Sequence, residues 1–277
     1  MATLVPALSR GLDVLELFLS EHGELTAPEI TARLGFPRTT VYQLIQTLLA
    51  RDYLERGDGP NAFRLGPRAL ELGSAYASSV DLVREARAAV ARITEMTGET
   101  AHAALLSGTE VLYIAVGEGR HPVQMVSALG RRLPAHATAI GKALLAALGA
   151  QEVRARYAHE PLAILTARTI ATVPELEAEL ARIRASGLAW DDCESNDDVC
   201  CVAVSCTERK GLQLALSVSV PTIRWTSEIA RRCAAVVREQ ADLLARRLGG
   251  PPDPRPLPFD EAIARNPPPF ERGARGR

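Results

Sequence analysis

The chain has 277 residues, 47% of them hydrophobic, and a formal net charge of −1. That length admits one to two domains with a sizeable core, and the near-neutral charge excludes a polyanion-coating protein and an acidic-tailed one. No apolar run reaches the roughly 18–20 residues of a membrane span, and Met1–Arg10 lacks the charged start and apolar stretch of a secretion signal, so a cytoplasmic protein is expected.

From Ala7 to His22, Leu8, Leu12, Leu15 and Leu19 recur at helical spacing, widened by Val14, Leu17 and Phe18. This predicts a core helix. Arg10, near its start, could reach a phosphate; an ordinary solvated arginine is the plainer alternative. Next, Thr26 and Glu29 make an S/T-x-x-E capping box, with Pro28 in the first turn, so a second helix starts at Thr26. Gly35 ends it as a left-handed cap. After Gly35-Phe36-Pro37 a third helix carries Val41, Leu44, Ile45 and Leu48 on one face, and Arg38, Thr39, Tyr42, Gln43 and Gln46 on the other. Two short helices joined by a tight glycine turn are a helix-turn-helix, whose second helix can enter the major groove. Arginine suits guanine, glutamine suits adenine, and the hydroxyls and methyls of Thr39 and Thr40 suit either.

Tyr53–Arg56 and Ala62–Leu65 flank the turn Gly57-Asp58-Gly59-Pro60-Asn61, the pattern of a β-hairpin. Three helices and a hairpin make a winged helix-turn-helix over residues 1–67. The wing would carry Arg56, Asn61 and Arg64 towards the DNA backbone or minor groove. Residues 1–67 hold six arginines against eight acids. DNA binding would therefore need Arg38, Arg56 and Arg64 on one side and Glu16, Glu21 and Glu24 on the other.

Residues 68–80 read as a joining helix, and a further helix from Asp81 to Met96 opens a second domain over residues 81–249. Its strands are expected at Thr100–Leu106, Val111–Val116, Val123–Ala128, Val199–Val204 and Leu212–Val220. Helices are expected from Ala139, from Val173 to Ser186, and from Ile223 to Leu248. This order indicates an α+β domain. Residues 250–277 are rich in proline and charge, and are expected to be disordered or loosely attached.

From about Leu4 to Gly249 the chain resembles the IclR family of bacterial transcriptional regulators. The N-terminal part of the resemblance is Ala7–Leu15 and Gly35–Tyr42. The more specific part is Gly130–Ala146, followed by Trp190-Asp191-Asp192-Cys193-Glu194, Val199–Ala203 and Leu216–Ser219. The resemblance implies a GAF-like α/β effector domain behind the winged helix. It implies homodimers or homotetramers on pseudo-palindromic double-stranded operator DNA, with small carboxylates or aromatic acids as effectors. A repressor is favoured over an activator. By position, the effector would meet the backbone amides of Ala139 and Ile140 at a helix start, together with Asp191, Cys201, Ser217 and Ser219. A helix N-terminus suits an anion, and Ser217 and Ser219, two apart on a strand, share a face. The loop Asp191–Asp198, with five acids, suits a cation or a ligand with several hydroxyls as well.

Other readings exist. Five cysteines, an odd number clustered late, are not a disulfide framework. Cys193, Cys200, Cys201 and Cys206, near His102 or His136, could suggest zinc. There is no C-x-x-C pair, and adjacent Cys200 and Cys201 point opposite ways on a strand. Neither a metal nor any other cofactor is therefore expected. A hydrolase would use Cys201 with His136, which otherwise reads as a structural histidine. A co-regulator that has lost DNA binding is the third reading, opposed by the polar face of the third helix.

Overall fold

The computed structural model describes residues 5–20, 23–79, 81–122, 128–158, 161–251 and 257–269. The chain forms two compact units, Met1–Val80 and Asp81–Arg277. The expected strand Val123–Ala128 lies, but for Ala128, outside the described residues, as does Glu21.

In the first unit α1 (Pro6–Ser20) is followed by β1 (Leu25–Thr26), α2 (Ala27–Leu34), α3 (Arg38–Ala50), β2 (Leu54–Arg56), β3 (Ala62–Leu65) and α4 (Pro67–Ser79). The predicted capping box closes at the start of α2: Thr26 N donates to Glu29 Oε2 at 2.7 Å, and Glu29 N to Thr26 Oγ1 at 3.4 Å. Gly35 ends α2 at φ 67°, a conformation glycine adopts without a Cβ penalty. Val14, Phe18, Leu25, Ile30, Val41, Ile45, Leu54 and Phe63 form one core. Each such side chain contributes about 1.5–3 kcal/mol on burial, and Ile30 and Ile45 lock α2 to α3. The α1 stripe is a partial correction. Val14 and Phe18 are buried, whereas Leu8, Leu12 and Leu19 are exposed. The helix has two apolar faces, and spacing alone merges them. Strand β3 lies between β1 and β2, all antiparallel.

The second unit runs α5 (Asp81–Thr97), β4 (Thr100–Ser107), β5 (Glu110–Gly117), β6 (Arg132–Pro134), α6 (Ala139–Ala147), α7 (Ala150–Arg156), α8 (Val173–Ser186), β7 (Ala189–Asp192), β8 (Val199–Thr207), β9 (Gln213–Pro221), α9 (Ser227–Arg247) and α10 (Phe259–Arg265). The six strands form one antiparallel sheet in the order β6-β5-β4-β9-β8-β7. Helices α5 and α9 pack on one face. Helix α6 packs on the other, backed by α8. Around α6 the core contains Ile140, Leu144, Leu176, Leu180, Tyr113 and Cys201.

The proline-rich tail departs from expectation. Residues 259–265 are helical, with Ala262 and Ile263 buried. Trp190 Nε1 donates to Asn266 O at 2.8 Å, and Asn266 Nδ2 to Leu188 O at 2.8 Å. Seven residues between prolines suffice for two turns of helix, and Trp190 supplies the buried donor that holds them. Composition averaged over the tail hides this segment.

Candidate functional sites

Helix α3 presents Arg38, Thr39, Tyr42 and Gln43 to solvent, with Thr40 half-buried at its base, while Val41 and Ile45 turn inward. The polar face is thus supported on a fixed apolar one. Arg10 is exposed, and its guanidinium sits 5.6 Å from the centre of the Phe36 ring in the turn between α2 and α3. Arg56 and Asn61 are exposed on the hairpin. Asn61 adopts φ 58°, which asparagine tolerates better than other non-glycine residues.

The expected separation of charges fails at Glu24 and Arg64. Glu24 lies against the wing, where its carboxylate accepts from Asp58 N at 2.6 Å and Gly59 N at 2.9 Å. Those backbone bonds hold its carboxyl below the ordinary range. Arg64 then faces three acids: Glu55 at 2.6 Å, Asp58 at 3.3 Å and Glu24 at 3.9 Å. The cause is local. A tight wing turn exposes amides that need an acceptor, and the carboxylate that meets them attracts the nearest guanidinium. Arg64 is a structural brace of the wing as well as an exposed cation.

In the second unit the register gathers four of the expected residues. Asp191 on β7 stands opposite Cys201 on β8, which stands opposite Ser219 on β9. Ser217 lies two residues along and is opposite Ala203 on β8 and His102 on β4. Directly opposed residues share a face, so these side chains form a polar stripe on the α6 side of the sheet. It is closed to solvent: Asp191 is 0% exposed, Ser217 2%, Ser219 3% and Cys201 8%. Cys201 Sγ and Ser219 Oγ are 3.2 Å apart. Ala139 and Ile140 are buried at the start of α6, ahead of its first intrahelical bond, from Lys142 N to Thr138 O at 2.9 Å. Thr138 caps the helix by accepting from Gly141 N at 3.1 Å. Gly141 is required there, because a Cβ would lie 2.2 Å from Ala135 O.

Asp191 is the most constrained group. Its Oδ1 accepts from Glu194 N at 2.6 Å and its Oδ2 from Ser195 Oγ at 2.9 Å. Burial, and then the neighbouring Glu194, push its carboxyl up to about 7. Glu194 in turn is bonded by the buried amine of Lys142. The acidic loop is therefore neutralised from within, and Thr166 and Thr169 anchor it by donating to Cys193 O (2.7 Å) and Glu194 O (2.6 Å).

Sequence reasoning passed over His102 as a member of this stripe. It is fully buried, 4.8 Å from the Tyr113 ring, and neither ring nitrogen has a hydrogen-bond partner among the described residues. Burial holds it neutral, down to about 4. A neutral imidazole has one donor and one acceptor. Strand alternation with Thr100 and Ala104 could have placed it; only its partner strand, distant in sequence, reveals what it faces.

An open cleft lies elsewhere. About 490 Å³ lies at the β4–β5 turn, walled by His136, Arg156 and Tyr157, and touches none of the expected effector residues. Both ring nitrogens of His102 lack partners in the closed stripe, and His136 Nδ1 and Arg156 Nε lack them at the cleft, among the described residues; only the stripe gathers the expected effector side chains. His136 Nε2 lies 2.9 Å from Ala163 O. A carbonyl only accepts, so that nitrogen carries the proton. Burial pushes the Cys201 thiol well up, the reverse of an activated nucleophile.

The description "IclR helix-turn-helix domain" matches residues 7–58, and "Bacterial transcriptional regulator IclR C-terminal" matches residues 74–246. The chain belongs to the IclR family of bacterial transcriptional regulators. It is 32% identical to the HTH-type transcriptional regulator XynR of Escherichia coli, over 90% of this chain and 99% of that one. It is 30% identical to the HTH-type transcriptional repressor AllR of Klebsiella pneumoniae, over 88% and 90%. A solved IclR homolog from Microbacterium hydrocarbonoxydans, complexed with 4-hydroxybenzoate, superposes with a TM-score of 0.78 at 25% identity, over 88% of this chain and 99% of that one. IclR membership makes this chain a DNA-binding transcriptional regulator rather than an enzyme, which removes the hydrolase reading. Among the described residues no helix is long and apolar enough to cross a membrane.

Proposed function

We propose that this IclR regulator is a repressor whose operator affinity is set by a small hydroxylated carboxylate or aromatic acid bound in the second unit. Residues 1–67 read the operator, 68–80 join the parts, and 81–249 bind the effector. Arg38, Thr39, Thr40, Tyr42 and Gln43 face the major groove, while Arg10, Arg56, Asn61 and Arg64 meet the backbone or minor groove. The observation that carries the effector reading is the sealed polar stripe beneath the start of α6. There the first amides of a helix suit a carboxylate, and Asp191, His102, Ser217 and Ser219 offer partners to hydroxyls. An Asp191 that titrates near neutrality repels a ligand carboxylate less than an ordinary aspartate would. The relative holding 4-hydroxybenzoate, which carries both groups, supports the class, and AllR supports repression.

A homodimer or homotetramer on a pseudo-palindromic operator is supported by exposed apolar side chains, namely Leu8, Leu12 and Leu19 on α1 and Leu70 and Leu72 on α4. The test is footprinting on the chain's own promoter region with a panel of hydroxybenzoates, aliphatic hydroxy acids and sugars. Release from DNA by one hydroxylated acid is expected. Release by none, or by neutral sugars alone, overturns the effector class.

A further inference from the structure

The hairpin of β7 and β8 carries two thiols that the effector stripe does not use. Asp192 and Cys200 are directly opposed in its register. Cys193 follows β7 at φ 57°, and its Sγ lies 3.3 Å from that of Cys200. The two sulfurs and a carboxylate oxygen of Asp192 lie within 4.8 Å of one another. Cys201, the next residue, faces the opposite side of the sheet, where it meets Ser219.

We propose that Asp192, Cys193 and Cys200 bind one thiophilic divalent cation of the zinc class. Two sulfurs and an oxygen leave a fourth tetrahedral position for water, as in an open zinc site. Zn–S bonds of about 2.3 Å set tetrahedral sulfurs roughly 3.7 Å apart, so the pair needs little movement to close on an ion. The Asp192 side chain is 39% exposed, which gives a path of entry. Arg168 Nη1 holds Asp192 Oδ1 at 2.8 Å, orienting the carboxylate as outer partners do in metal sites. The surrounding loop adds Asp197 and Asp198.

Binding converts two thiols to thiolates and releases two protons to solvent, with no change of oxidation state. A Cys193–Cys200 disulfide would instead need an oxidant that removes two electrons. The Asp192 carboxylate oxygen beside the two sulfurs favours the cation.

The test uses the full chain, reduced and metal-free, without effector or DNA. Zinc is titrated against a chromophoric chelator, and cadmium serves as a probe through its thiolate charge-transfer absorption. One ion per chain, a two-thiolate band and two released protons are expected. Cys193→Ser and Cys200→Ser abolish the band, and Asp192→Asn weakens zinc by at least the roughly tenfold lost with an outer-shell carboxylate. Cys206→Ser leaves binding unchanged. Circular dichroism checks each fold. If Cys200→Ser does not fold, Cys193→Ala and Asp192→Asn carry the test. No bound ion, or the same stoichiometry without both thiols, overturns the proposal. So does loss of two thiols to peroxide in a protein that takes up no metal.

Discussion

Lys142 and Glu194 form an ion pair sealed from water, with side chains 1% and 8% exposed. Glu179 stands 3.9 Å from the same amine. The pair ties α6, which carries the amides of Ala139 and Ile140, to the loop that holds Asp191. Removing one partner of a buried pair leaves an uncompensated charge. Lys142→Met should therefore cost about 3–5 kcal/mol of stability in urea unfolding. The double variant Lys142→Met with Glu194→Gln should recover most of that loss. Equal losses in the single and double variants would show that the lysine matters by its volume and not by its charge.

Asp191 makes stability fall as pH rises. Its carboxyl is raised from 3.8 to about 7, so the folded state binds the proton more tightly than the unfolded chain. Its contribution is complete below the unfolded value, and is lost as pH climbs through about 7. Asp191→Asn keeps the shape and removes that dependence. Urea midpoints at about pH 5 and about pH 8 should differ more in the native chain than in the variant. Parallel pH profiles would mean that Asp191 stays ionised on burial. Glu194, also raised by burial, interacts with Asp191, so the difference between the two chains reads the titration of the pair.

Gly141→Ala tests the start of α6 without touching charge. The added Cβ would fall 2.2 Å from Ala135 O and 2.4 Å from Ala135 Cα. Neither backbone atom can swing aside as a flexible side chain would. Overpacking of this kind costs typically about 1–3 kcal/mol, and it moves the amides of Ala139 and Ile140. A lower melting temperature with weaker effector binding is expected; an unchanged protein would mean that α6 can shift as a rigid body.

Local signals carried the helix-turn-helix well. The Thr26 and Glu29 pair, Gly35 and the Val41–Ile45 face are each decided within a few residues, and spacing reports them. The second unit was legible as strands and helices, but the missing short pieces, β6, β7 and α10, depend on partners elsewhere. Trp190 holds Asn266 across 76 positions. Glu24 and Gly59, 35 apart, are joined by a turn whose amides no pattern displays. His102 joins Ser217 only through the β4–β9 register. Periodicity says that a residue lies on a face; it does not say which element that face meets.

Readout of the operator should separate base contacts from backbone contacts. Arg38→Ala and Gln43→Ala should each weaken specific binding by roughly 1–3 kcal/mol while sparing non-specific DNA. Arg56→Ala should weaken all sequences alike and reduce the salt slope by about 1. Arg64→Ala should also weaken all sequences, because it leaves Glu55, Asp58 and Glu24 unneutralised on the wing. Adding Glu55→Gln should then restore part of the affinity. Titrations at several salt concentrations decide it, and unchanged operator affinity in the α3 variants would remove that helix from the groove.

The polar stripe predicts how the effector is lost. Ser217→Ala and Ser219→Ala remove hydroxyls on the α6 face of β9, and the paired ligand group then goes unsatisfied at about 1–3 kcal/mol. Cys201→Ser should act more mildly, since a thiol is a weak partner. His102→Phe is the sharper test. In the free protein its ring nitrogens have no partner among the described residues, so replacing it with an apolar ring should leave stability unchanged or raise it. If the imidazole meets a ligand hydroxyl, effector affinity should nonetheless fall by a similar 1–3 kcal/mol. A residue with a purely structural role would move both quantities together. DNA affinity without effector should stay at the native level in all of these variants, because the substitutions lie in the other unit. Calorimetric titration with the effector identified by footprinting measures the first quantity, and urea unfolding the second. Native effector affinity throughout the set would place the ligand away from the stripe, with the open cleft beside His136 and Arg156 as the next place to look.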